Sequence, residues 1–452
     1  MLKSLLTICY GDDYMLNIFD KMQEYVLRNH FVDVEDKVPV FLCSIGTHIF
    51  NGLNKCGTCP HTPDPDDDYA FAIESCILRH ENRPIYTPMS HVADTRLHIL
   101  MRGIKGSGKS VLINLFLAPT TGILSDPDMA AMGMAFRTDV GPNSITEAGM
   151  FGSVNEEGQI VGRPLAREMC GGFLGFEEFS SLIDAGKKDH SMDMTNQLLT
   201  STDNGRVKKV MRSGWVEYMT RYTLWAGTQP GRFEMESGLD RRFFIIDIEM
   251  NPQKEADFKM AQAKQANMTN ADRAELAESL LVMRRFIAER AIEVIYDPPT
   301  GVKFSDEFNQ WLFQPEVRSH EADLFRRLAL GYAVMQPLYK GGAVLEVNMT
   351  EQLKTILDRC LAMRRNVMDS DLRLIKTAFW NTQLSRSALL KEVARMITNG
   401  DYQSAKRWVE DNLTGQAWYS EERSKGGGRG RKGVAVLIGY PKVEVQTLEE
   451  MI

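Results

Sequence analysis

One run of eight residues, Gly103-Ile104-Lys105-Gly106-Ser107-Gly108-Lys109-Ser110, constrains this chain more than any other. It satisfies G-x-x-x-x-G-K-[ST] without deviation. The apolar segment RLHILMRG (96–103) precedes it and VLINLFLA follows it. Strand, glycine turn and helix in that order point to an α/β layout with a parallel sheet. Glycines let consecutive backbone N–H groups curl towards phosphates, and the following helix adds its positive end. Lys109 suits the β- and γ-phosphates of ATP as a point charge, and the Ser110 hydroxyl suits Mg²⁺. Gly103 to Ser110, with Val111 opening the helix, is therefore the candidate nucleotide-binding segment.

The chain has 452 residues, enough for two to four domains at roughly 100–200 residues each. Apolar residues make up 43% and charged residues 25%, a globular composition. A net charge of -7 excludes a generally basic nucleic-acid coat but not a local basic channel. Seven scattered cysteines do not form a disulfide framework. The N-terminus lacks the signs of a signal peptide, and no stretch approaches the ~18 apolar residues of a membrane span. A reduced, cytoplasmic setting with no membrane partner is expected, the host cytoplasm if the gene is viral or plasmid-borne.

Four regions are expected: a small N-terminal region (1–75), an α/β core (76–250), a helical subdomain (251–368) and a C-terminal module (369–452). In the first, Leu16 to Leu27 suggests an amphipathic helix, and VPVFLCSIGTHIF reads as a buried strand or helix. Cys56 and Cys59 have the spacing of a Zn²⁺ half-site, with Cys43, His48, His61, Cys76 and His80 near enough to complete it. Two unligated thiols are the other reading.

The strand in CGGFLGFEEFSSL (170–182) ends in two acids, Glu177 and Glu178. Such a strand is expected beside the loop strand, with Glu177 holding the metal and Glu178 polarising the attacking water. The strand in RYTLWAGTQPGRF stops at Thr228-Gln229, where an amide reaches both phosphate and water. Arg241 and Arg242 precede a further apolar strand; an arginine there can enter the neighbouring subunit's site, or simply pair with Asp240.

In this order the parts resemble a AAA+ ATPase, and within that class the MCM replicative helicases. CGGFLGFEEF resembles the family's Gly-Gly, apolar strand, acidic-pair block, with Glu177 where Asp is usual. LWAGTQP resembles its sensor strand, with Gln229 in place of Asn. LDRRFFIID resembles its finger block and favours Arg242 over Arg241. TNQLLTSTDNGRVKKVMRSGWVEYMTRYTLW resembles its helix and pre-sensor hairpin, placing Arg212 at a DNA-contacting tip with Lys208 and Lys209 on the rising strand. An ordinary exposed hairpin is the plain alternative. SHEADLFRRLAL resembles the helix of the second sensor, offering Arg326 and Arg327. The resemblance implies a P-loop AAA+ core with a helical lid, a homo-oligomer, usually a hexamer, and single-stranded DNA in its channel. Only about 95 residues precede the loop, so a short relative of the viral or plasmid kind is expected.

The tail reads as helix, helix and hairpin, which resembles a winged helix. Arg423, Lys425, Arg429, Arg431 and Lys432 lie in its glycine-rich turn, and Lys406 and Arg407 on its second helix. Duplex or forked DNA suits both, through salt-sensitive phosphate contacts; a disordered loop on a protein-docking module is the other reading. The expected activity is ATP-driven DNA translocation and unwinding in replication. An ATP-switched replication initiator or loader, and a protein-remodelling machine, are the alternatives.

Overall fold

The computed structural model describes residues 16–50, 96–124 and most of 138–229 and 242–438. The chain divides into two compact units, 1–228 with 238–363, and 229–237 with 364–452.

The first unit begins with α1 (Ile18–Arg28) and α2 (Val38–Phe50), followed by β1 (His98–Gly103) and α3 (Lys109–Leu117). Next come β2 (Thr138–Val140), α4 (Glu147–Phe151), β3 (Ser153–Val154), β4 (Ile160–Val161), α5 (Leu165–Glu168) and β5 (Phe173–Phe176). Then follow α6 (Met194–Asp203), β6 (Arg206–Met211), β7 (Gly214–Met219), β8 (Thr223–Thr228) and β9 (Phe243–Ile248). Helices α7 (Pro252–Ala266) and α8 (Asn270–Tyr296) precede β10 (Gly301–Phe304), α9 (Asp306–Leu312), α10 (Ala322–Val334) and β11 (Val344–Val347). Helix α11 (Glu351–Phe379) carries the chain into the second unit.

A five-stranded parallel sheet in the order β2-β5-β8-β1-β9 forms the centre. Strands β1 and β8 are buried at every position, as expected of a strand covered on both faces. The α/β class read from the sequence is thus present, but one placement is corrected. The acid-bearing strand β5 does not lie beside the loop strand β1; β8 sits between them and pairs with both. Local sequence encodes that a segment is a buried strand, not which neighbour it chooses.

The N-terminal helices are also not a separate region. Asn17 caps α1 by accepting from the N–H groups of Phe19 and Asp20, and the helix buries Ile18, Phe19, Met22, Tyr25 and Val26 along one stripe. VPVFLCSIGTHIF resolves as a helix rather than a strand, buried on all sides because the sheet and other helices enclose it. Phe41 of α2, Phe116 of α3 and Phe173 of β5 converge on the Trp225 ring, at centroid distances of 4.9, 5.5 and 5.0 Å. The Trp225 indole N–H donates to Ser44 Oγ at 2.9 Å, and Ser44 Oγ donates to the Leu97 carbonyl at 2.6 Å. A boundary near residue 75 would cut through this core.

Two candidate zinc ligands are spent in the same packing. Both ring nitrogens of His48 are engaged, with Thr223 Oγ1 at 2.8 Å and the Gly171 carbonyl at 2.9 Å. Cys43 is fully buried, and burial pushes its thiol pKa up. Neither is available to complete a metal site. Cys56 and Cys59 lie outside the described residues.

The second unit holds the end of α11, then β12 (Thr382–Ser385), α12 (Arg386–Met396) and α13 (Tyr402–Trp408), which continues as a π-helical turn. Strands β13 (Tyr419–Arg423) and β14 (Val434–Ile438) complete an antiparallel sheet in the order β12-β14-β13. Leu389, Val393, Trp408, Val409, Val436 and Ile438 belong to its own core. The unit begins at Arg364, inside α11, not at 369. A short strand, β12, precedes the first of the expected tail helices, and Ser385 then caps α12 by accepting from Ala388 N–H.

Helices α2 and α10 approach backbone to backbone: a Cβ on Gly331 would strike the Cys43 carbonyl. Gly331→Ala should therefore force the helices apart and lower stability by ~2–3 kcal/mol. Thermal unfolding of the variant should show a clear drop in Tm; an unchanged Tm would contradict this packing.

Candidate functional site

The C-terminal edge of the parallel sheet brings the ends of β1, β8 and β5 side by side. From β1 the chain runs to strands on one side, then crosses to β9 on the other. Such a reversal leaves a crevice at the carboxyl ends of the strands, where open α/β sheets hold ligands.

Gly103 ends β1, and the chain turns through Gly106 and Gly108 at φ of 83° and 90°. Residues with a Cβ seldom adopt that left-handed region. Gly108 is the N-cap of α3, so Lys109 stands on its first turn. Lys109 is buried and its ammonium donates to the carbonyls of Gly103 and Ile104 at 2.6 and 2.9 Å. Burial lowers the pKa of Lys109, and the nearby Glu178 carboxylate works against that shift. Ile104, Lys105, Gly106 and Val111 are exposed, and Ser110 is half-buried. Ser107 Oγ is buried and has no hydrogen-bond partner among the described residues.

Glu177 and Glu178 follow the wholly buried β5 and are themselves half-buried. Asn114 of α3 donates to Glu177 Oε1 at 3.2 Å, tying the acidic pair to the loop helix. Beneath them Phe179 N–H donates to the Gly227 carbonyl at 2.6 Å. A Cβ on Gly227 would lie 2.7 Å from the Glu177 carbonyl and 3.4 Å from Lys109 Cβ. Strand β8 thus threads between loop and acids where only glycine fits. Two strand spacings, about 10 Å, separate β1 from β5. Gln229 follows β8 directly and is half-buried.

Just below the loop, Arg102 and Asp247 form a bidentate pair between β1 and β9, at 2.7 and 3.0 Å. The pair is almost fully buried, where such fork geometry fixes register.

A narrow cleft opens beside the loop, lined by Phe31, Val34, Ser107, Gly108, Val111 and Phe258 among others. Its wall at 31–34 belongs to the turn between α1 and α2, and Phe258 to α7. Sequence reading missed both, because neither carries a motif; only the apolar pair Phe31-Val32 outside a helix hints at a buried turn. Asp33 secures this wall, with Lys37 Nζ at 3.0 Å and Lys254 Nζ at 2.9 Å from its carboxylate. Burial raises the Asp33 pKa, but the two lysines outweigh it and hold the group below its ordinary value.

Arg242 lies at the start of β9 and faces the end of α6. Its Nε donates to the Leu199 carbonyl at 3.1 Å and its Nη2 pairs with Asp203 at 3.0 Å. Two further groups from the start of the loop strand grip the same helix end. Arg96 donates to the Ser201 carbonyl at 2.9 Å, and His98 Nε2 lies 3.0 Å from the Thr202 carbonyl. Because His98 Nδ1 accepts from Leu224 N–H, its proton sits on Nε2 and points at Thr202. Helix α6 leads directly into the β6–β7 hairpin.

On that hairpin Arg212 is exposed at the tip and Lys208 is exposed on β6. Lys209 differs from the expectation: it forms a largely buried ion pair with Glu147 at 2.6 Å and so anchors the hairpin to α4. Arg327 is also corrected. It is buried and donates at 2.8 Å to the carbonyl of Arg96, at the opposite end of the loop strand. Seven residues of extended chain, roughly 20 Å, separate it from Gly103. Arg326, its neighbour, pairs with Asp323 at 3.2 Å on the same helix. Neither reaches the loop of its own chain.

In the second unit Lys406 and Arg407 are exposed on α13, and Arg423 ends β13. Arg241, Lys425, Arg429, Arg431 and Lys432 lie outside the described residues. Among the described residues no cluster of three or more His, Cys, Asp or Glu side chains could hold a metal, and no helix is long and apolar enough to cross a membrane.

Compared with known proteins, the sequence matches no family model and no curated protein.

Asp33 gives the cleft a pH signature. A carboxylate whose pKa is depressed by folding adds stability above its unfolded pKa and loses it as pH falls through the folded value. Asp33→Asn should melt below the wild type at pH 7, and the gap should close below about pH 4. Thermal melts across pH test this; a gap that persists into acid would contradict the clasp.

Proposed function

We propose that this chain is an ATP-hydrolysing motor of the AAA+ class, resembling the MCM helicases, which moves along and unwinds DNA as a ring. The observation that carries the reading is the convergence of a glycine loop with its lysine, an acidic pair and a polar strand end on one sheet edge. The residues present suit a nucleoside triphosphate. The loop is a positive-φ cradle at a helix N-terminus, and Ser107 Oγ is a buried donor with no acceptor among the described residues. Beside the loop, the apolar side chains of Phe31, Val34 and Phe258 give a surface against which a base would pack.

In this reading Lys109 turns from the carbonyls of Gly103 and Ile104 to the β- and γ-phosphates. Ser110 and Glu177 would hold Mg²⁺, which shields phosphate charge when bound; Asn114 orients Glu177. Glu178 accepts a proton from the attacking water as its oxygen bonds to the γ-phosphorus. The bond to the β-bridging oxygen breaks, and ADP and phosphate leave. Two strand spacings between loop and acids leave room for phosphate and water together.

Arg242 is the finger, reaching into the next subunit's site from its half-exposed pairing with Asp203. That makes a homo-oligomer necessary, a hexamer in the family it resembles. Arg212 and Lys208 meet single-stranded DNA in the channel. The second unit, with three antiparallel strands, two helices and an exposed Lys406-Arg407 pair, serves as a winged helix on duplex or forked DNA.

Glu178→Gln should bind ATP with near-normal affinity yet lose hydrolysis by ~10²-fold or more, whereas Lys109→Ala should lose binding itself. Equilibrium binding of a fluorescent ATP analogue, read beside phosphate release, separates the two. A Glu178→Gln enzyme with wild-type turnover would remove the acid from this role. Arg242→Ala should be inactive alone but regain partial activity in mixed rings, where wild-type subunits supply fingers.

A further inference from the structure

The β6–β7 hairpin has two unlike faces. Cross-strand register pairs Lys208 with Glu217, Lys209 with Val216 and Val210 with Trp215. Alternation along each strand then sorts the side chains. Val207, Val216 and Tyr218 are buried, Lys209 pairs with Glu147, and Tyr218 donates to the Phe151 carbonyl at 3.2 Å. That face holds the hairpin to the body. The other face carries Lys208, Val210, Trp215 and Glu217, all exposed.

An outward strand face ordinarily carries polar side chains. Here its centre is apolar: Val210 is 65% exposed and Trp215 59%. An indole left that open in water is costly, and it sits one cross-strand pair from the tip. Cations border it. Lys208 Nζ lies 5.0 Å from the Trp215 ring centroid, and Arg212 is exposed at the turn. Against these two positive charges the face has one acid, Glu217, 3.6 Å from Lys208. An aromatic plane with cations at its margin matches single-stranded nucleic acid: base on the ring, phosphates on the cations. A polypeptide would find no such charge complement unless it were acidic.

We propose that Trp215 is a stacking platform for an unpaired base of single-stranded DNA, with Lys208 and Arg212 seating the flanking phosphates. This rests on the reading of the chain as a DNA motor and adds to it a contact with the base rather than the backbone. Lys208 has a further part, holding the indole plane from one side through its cation–π contact.

Two dye-labelled oligonucleotides of equal length test it by fluorescence anisotropy with the full chain: oligo-dT and a wholly abasic strand with the same phosphates. The wild type should bind oligo-dT about 10-fold more tightly than the abasic strand. Trp215→Ala should erase that ratio while leaving abasic binding unchanged, and Trp215→Phe should largely restore it. Arg212→Ala should weaken both strands alike and reduce the salt dependence. The exposed position makes the variants safe for folding, which unchanged thermal melts confirm. A Trp215→Ala protein that keeps the wild-type ratio overturns the stacking proposal while the DNA reading stands. Binding of neither strand by the wild type overturns both.

Discussion

The candidate site depends on the passage of β8 between the loop strand and the acidic strand. At Gly227 the backbone comes so close to the Glu177 carbonyl that a methyl group would not fit, and Lys109 packs against the same point. This close approach fixes three things together. It sets the spacing of lysine from carboxylates, aligns the end of β8 with both, and buries Thr228 beneath them. The Arg102–Asp247 fork does the same on the other side, locking β9 to β1 one residue below the loop. A loop held this firmly has its geometry set before any ligand arrives, which lowers the entropy cost of binding.

The same strands hold helix α6 at the opposite end of the sheet. Helix α6 ends against Arg96 and His98 at the start of β1 and against Arg242 at the start of β9. The hairpin that follows is thus gripped by the base of the sheet whose other edge carries the loop. If Arg242 leaves Asp203 for a neighbouring site, one of these three attachments is released. Under the proposed function, that exchange is the contact through which nucleotide state would bear on the hairpin.

Much of this was legible in the sequence, and what was not has physical reasons. The loop, the acidic strand end and the hairpin are local patterns whose chemistry is written in adjacent residues. Strand order is not local, and the insertion of β8 between β1 and β5 had to be seen. Lys209 and Arg327 look like any exposed cation in one dimension; only the placement of Glu147 and of the Arg96 carbonyl turns them into buried fixtures. Apolar content alone left α2 open between strand and helix, and its enclosure on all sides explains why no stripe was visible. The Phe31–Val34 wall of the cleft has no motif because apolar shape, not charge, is what it offers.

We propose that this edge hydrolyses ATP to move DNA. The most direct test is the rate of phosphate release from ATP by the full chain, with Mg²⁺, measured with and without single-stranded DNA. Single-stranded DNA should accelerate hydrolysis several-fold. A chain that hydrolyses nothing, or whose rate DNA leaves unchanged, would contradict it.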